Sequence, residues 1–67
     1  MRHFAMTKAQ RQAEWLAQFS DALTARAPQL AGRIEWPAAL HYYFSGTAVP
    51  AAVDQYLIAR NVPEGQP

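Results

Sequence analysis

Pro28 is the first proline in the chain, and no glycine comes before it. After it, Gly32, Pro37, Gly46, Pro50, Pro63, Gly65 and Pro67 recur at short intervals. Proline lacks the backbone N–H that a helix interior needs, and glycine readily takes the left-handed conformation that ends helices. This punctuation allows one long helix at the front of the chain and only short elements behind it.

The first helix is expected from Met6 or Thr7 to Arg26. Thr7 is placed as its N-cap, because a threonine hydroxyl can accept an orphan backbone N–H. The alternative start is near His3, which would leave Thr7 inside the helix. Ala9, Ala13, Leu16, Phe19, Leu23 and Ala27 follow helical spacing and predict the buried stripe. Trp15 flanks that stripe and pairs with Phe19 one turn on. Gln10, Arg11, Glu14, Gln18, Asp21 and Ala25 suit the solvent side. Pro28 ends the helix by pushing the residue before it out of the α region.

Pro28 to Gly32 reads as one helical turn. Arg33-Ile34-Glu35-Trp36 alternates polar and apolar residues, so a short extended segment is the other reading there. A lone strand would need its partner from a second copy. A second helix is expected from Pro37 to Ser45, stopped by Gly46, with Leu40, Tyr43 and Phe44 inward and His41, Tyr42 and Ser45 elsewhere. A strand through Leu40–Phe44 is its rival, since aromatics favour strands. The third helix is capped by Thr47 and carries Pro50 in its first turn. It buries Val49, Ala52, Val53, Tyr56 and Leu57 and stops at Asn61 and Pro63. The fold class is therefore all-α: a small three-helix bundle in one domain, residues 1–67. A short turn or extended segment separates helices one and two, and the ends at 1–5 and 62–67 are expected to fray.

Size sets the stability problem. A chain of 67 residues buries only roughly 60% of the surface it exposes when unfolded. Such domains commonly lean on disulfides, metals or self-association. The chain has no cysteine, which excludes disulfides, thiolate zinc sites and cysteine nucleophiles. At 51% hydrophobic and 16% charged residues, it is too apolar for a disordered segment. No apolar run approaches the ~20 residues of a membrane span. Met1–Met6 is followed by Lys8, Gln10, Arg11 and Gln12 rather than an apolar stretch, so no secretory signal is read. A soluble cytoplasmic protein is expected.

Sites for chemistry are hard to find. His3 and His41 have no metal-ligand spacing. Glu14, Asp21, Glu35, Asp54 and Glu64 are scattered, without a paired acid and base. Ser45-Gly46-Thr47 could be imagined as an anion nest, but a helix junction explains it. No enzyme activity, cofactor, metal or small-molecule substrate is expected.

What the sequence offers is surface. The large apolar residues outnumber what three short helices can bury, and exposed apolar patches mark protein contacts. Trp15, Trp36, Tyr42 and Ile58 are the candidate interface residues, with Trp and Tyr favoured at hot spots. Ala5, Ala9, Ala13 and Ala17 form a ladder of small residues. It is a homodimer seam, a dock for a partner helix, or filler against which the third helix packs. The expected function is a self-associating protein-interaction or regulatory module, with a homodimer as the expected assembly.

The alternative is a small DNA-binding regulator. Pro37–Arg60 has the scale of a helix-turn-helix unit. With Arg33–Trp36 paired across a dimer, the element order would resemble a ribbon-helix-helix regulator. Net charge is only +1, but Arg2, Lys8 and Arg11 all precede the first acid, Glu14. Arg2, Lys8, Arg11, Arg33 and Gln55 are the candidate nucleic-acid contacts. Ala48, Ala51 and Asp54, the other exposed early positions of the third helix, are poor base readers. A subunit whose fold is completed only inside a larger assembly is the third possibility.

Overall fold

The computed structural model describes residues 7–61. The expected frayed ends, together with Arg2, His3, Ala5, Pro63 and Glu64, lie outside the described residues. The elements are α1 (Lys8–Arg26), a short 3-10 turn at Pro28–Leu30, α2 (Trp36–Phe44) and α3 (Val49–Ala59).

Thr7 starts α1, and the alternative start near His3 is overturned. Thr7 is extended, and its hydroxyl accepts the Gln10 N–H at 3.1 Å. Its own N–H donates to Gln10 Oε1 at 2.9 Å. Two orphan donors are thus satisfied reciprocally, which is a capping box. The helix runs ~28 Å. At its other end Ala27 leaves the helical region while its N–H still donates to the Leu23 carbonyl at 2.8 Å.

The turn after Pro28 forms as the residues require, and Gly32 follows it at φ +75°. Arg33–Glu35 forms no strand, although Glu35 is extended at φ −85° and ψ 97°. Trp36 is already the first residue of α2, one earlier than expected. The Glu35 N–H, which a strand would offer to a neighbour, donates to the Tyr56 hydroxyl at 3.0 Å. Pro37 sits in the first turn of α2, where its missing N–H costs nothing. Ser45 is the C-cap rather than a helical residue. Gly46 at φ +79° lets its own N–H reach the Tyr43 carbonyl, and the Thr47 N–H reaches that of Tyr42, each at 3.0 Å. This is a Schellman motif, and it accounts for Ser45-Gly46-Thr47 structurally.

Thr47 is not the cap of α3. Ala48 holds that position without a side-chain bond. Thr47 instead gives its N–H to the α2 stop and its carbonyl to the Trp15 indole N–H at 3.1 Å. Asn61 closes α3 at φ +54°, a conformation asparagine tolerates.

The core is Phe19, Leu23 and Ala27, with Ala39 from α2 and Ala52, Val53, Tyr56 and Leu57 from α3. Trp15 stacks on Phe19 with centroids 5.4 Å apart, and Phe19 meets Tyr56 edge-on at 5.5 Å. Between Lys8 and Glu14, only Gln12 is even half-buried, so the predicted stripe starts later than Ala9 and Ala13 suggested.

The inner face of α2 also differs from expectation. Ala39 is its fully buried residue, Tyr42 packs against the core, and Phe44 is 71% exposed. A short helix between two others approaches closely only where its side chains are small. Ala38 and Ala39 supply that approach and turn the Phe44 side outward.

Two ion pairs tie the helices. Arg26 at the end of α1 meets Asp54 of α3 at 2.5 Å. Arg60, just past α3, bonds Glu35 and lies over the Tyr56 ring at 4.1 Å from its centroid. The hydrogen bond that the Arg60 guanidinium donates to the Glu35 carboxylate holds Arg60 above its ordinary pKa.

Candidate interaction surface

Three large apolar side chains stand in solvent among the described residues: Trp36 at 43%, Phe44 at 71% and Ile58 at 77% exposure. Trp36 and Phe44 belong to α2. They lie two steps of four apart, with half-buried Leu40 between, so the three form one ridge along that helix. Ile58 lies on α3, on the solvent side with Asp54 and Gln55.

The four interface candidates therefore divide. Trp36 and Ile58 are exposed. Trp15 and Tyr42 are half-buried and engaged in the fold. The Trp15 ring lies between Phe19 and an edge contact with Tyr43 at 5.6 Å, with its N–H on Thr47. Phe44 was missed because its neighbours Tyr43 and Leu40 are equally apolar. Its spacing from Trp36 and Leu40 was the signal that could have found it.

Ala9, Ala13 and Ala17 are all exposed, so the ladder is not where α3 packs. The third helix instead meets α1 through Phe19 and the core residues below it. Ala13, Leu16, Ala17, Ser20 and Asp21 of α1 line an open groove, and Trp36 of α2 borders it. The α2 ridge thus meets the α1 ladder at Trp36, beside Ala13 and Ala17.

The candidate nucleic-acid contacts do not gather in this way. Lys8 and Arg11 are exposed in the first turn of α1. Arg33 is exposed in the segment between the Pro28–Leu30 turn and α2, and Gln55 is exposed on α3. Arg2 lies outside the described residues. Arg26 and Arg60 are held by Asp54 and Glu35.

No group of three or more His, Asp or Glu side chains able to hold a metal is found among the described residues. His41 is exposed and meets the Tyr42 ring edge-on at 5.8 Å. No helix among them is long and apolar enough to cross a membrane. No protein-family model, curated protein or solved structure matches the chain.

Proposed function

We propose that this chain is a small, non-enzymatic protein-interaction module of the cytoplasm, working through the α2 ridge and the groove beside it. One observation carries the reading. Trp36 and Phe44 stand exposed on the ridge of a helix that borders an open, largely apolar groove. A domain this small has few apolar side chains to spare from its core. Leaving Phe44 at 71% and Trp36 at 43% exposure forfeits part of the ~1.5–3 kcal/mol that full burial of such a side chain contributes, and a partner that covers them recovers that part. The absence of cysteine suits a reducing compartment.

The test is a pair of variants, Trp36→Ser and Phe44→Ser, compared with the parent by solution mass and by capture of partners. Association should weaken tenfold or more for each. Helical content should not change, because both side chains are exposed. If neither variant alters mass or capture, the reading fails.

A further inference from the structure

Resting on that reading, we infer that the occupant of the surface is a second copy of the chain, docked reciprocally, with α2 of each copy seated on α1 of the other. The argument begins with spacing. Trp36, Leu40 and Phe44 recur every four residues and span ~12 Å of helix. Ala9, Ala13 and Ala17 recur at the same interval over the same ~12 Å. The first row is large, with Trp36 and Phe44 exposed and Leu40 half-buried between them, while the second is small and open on α1. A ridge of every-fourth residues seats in a groove of the same kind, with helix axes crossing at about −50°.

Within one copy only Trp36 of the first row reaches the second, bordering the groove lined by Ala13 and Ala17. The close approach of α2 to the core runs through Ala39, and Phe44 and all three alanines remain exposed. A surface that carries both halves of a complementary pair is suited to two-fold pairing, where every contact occurs twice.

Charge points the same way. Asp21 is the one charged residue among the ridge, the ladder and the groove lining. A two-fold axis sets a surface opposite its own copy, so a charged surface would repel itself. A surface nearly free of charge does not, and interface centres are depleted in charge.

Area explains why the docking should be reciprocal. A stable interface needs about 800 Å² per partner, against a total accessible surface of 4743 Å². A strip of one helix ~12 Å long is too small alone. Reciprocal docking uses the ladder and the ridge of both copies together.

The chain has no cysteine, so single-cysteine variants report one position each. Leu40 and Ala13 are the middles of their rows and oppose each other whichever way the rows run. Ala13→Cys and Leu40→Cys, prepared separately and mixed under mild oxidation, should give a mixed disulfide several-fold in excess of either like pairing. The parent should sediment as a dimer with a Kd of about 10 µM or tighter. Ala13→Glu should make it monomeric, and Ile58→Ser should leave the dimer unchanged.

A dimer that survives Ala13→Glu overturns this docking, as does a mixed disulfide no more abundant than like pairs. A parent that is monomeric at every concentration, yet captures another protein through Phe44, overturns the second-copy inference and leaves the interaction reading standing. A monomer with no Phe44-dependent capture overturns both.

Discussion

Tyr56 joins α1, α3 and the segment before α2. Its ring is buried against Phe19 and carries the Arg60 guanidinium on its face, and its hydroxyl accepts the Glu35 N–H. That one oxygen bonds the backbone just before α2, twenty-one residues upstream. Tyr56→Phe keeps the ring and removes the oxygen, leaving a part-buried N–H without its partner. The loss should be about 1–2 kcal/mol, or roughly 4–8 °C of melting temperature per kcal/mol in a domain this size. Chemical and thermal denaturation would measure it, and an unchanged midpoint would mean that water replaces the hydroxyl at no cost. The sequence showed Tyr56 as a core residue, since Val49, Ala52, Val53, Tyr56 and Leu57 share one stripe. It could not show the hydroxyl's role, because Glu35 meets Tyr56 only after α2 and α3 have folded back. Trp15 is the parallel case. Its pairing with Phe19 is a local helical spacing and was legible. Its bond to Thr47 crosses thirty-two residues and was not.

At the scale of elements, legibility follows how local the cause is. Thr7, Pro28, Gly46 and Asn61 begin or end their elements through their own local chemistry, and all four boundaries could be read within a few residues. The orientation of α2 could not. Its nine residues are apolar on nearly every side, so periodicity names no inner face. The choice went to Ala38 and Ala39 because close packing rewards small side chains, which only the neighbouring helices reveal. The front of α1 poses the opposite case. Its cap is complete, yet its first two turns bury almost nothing. Helical order there depends on Thr7 more than on the core. Thr7→Ala should therefore cost about 1 kcal/mol locally. It should show as faster amide exchange over the first two turns of α1, with little change at Phe19 and Leu23. Uniform loss of protection along the whole helix would mean that its front is coupled to the core.

For the whole molecule, the placement of charge weighs against the DNA-binding alternative. The five basic residues among the described residues do not make a stripe. Asp54 and Glu35 engage two of them, Arg26 and Arg60. Of the rest, Lys8 and Arg11 sit at the start of α1, and Arg33 lies in the segment between the Pro28–Leu30 turn and α2. The exposed side of α3, where a reading helix would meet bases, offers Ala51, Asp54, Gln55 and Ile58. Asp54 would oppose phosphate, and Ile58 would enter the groove without a donor. Specific duplex binders neutralise several phosphates, and each contributes about −0.9 to the slope of log affinity against log salt. Lys8 and Arg11 together could supply a slope of about −2. Titrated into mixed-sequence duplex DNA across a salt series, the protein should bind only at low salt, with a slope no steeper than that. Lys8→Gln with Arg11→Gln should then abolish the remainder. A slope of about −5 or steeper would require cations from across the molecule to converge on one duplex. The described fold allows that only if a second copy brings its own basic end alongside. A steep slope that vanished with Ala13→Glu would therefore make the dimer the DNA-binding unit, whereas a steep slope in a monomer would contradict the fold's distribution of charge.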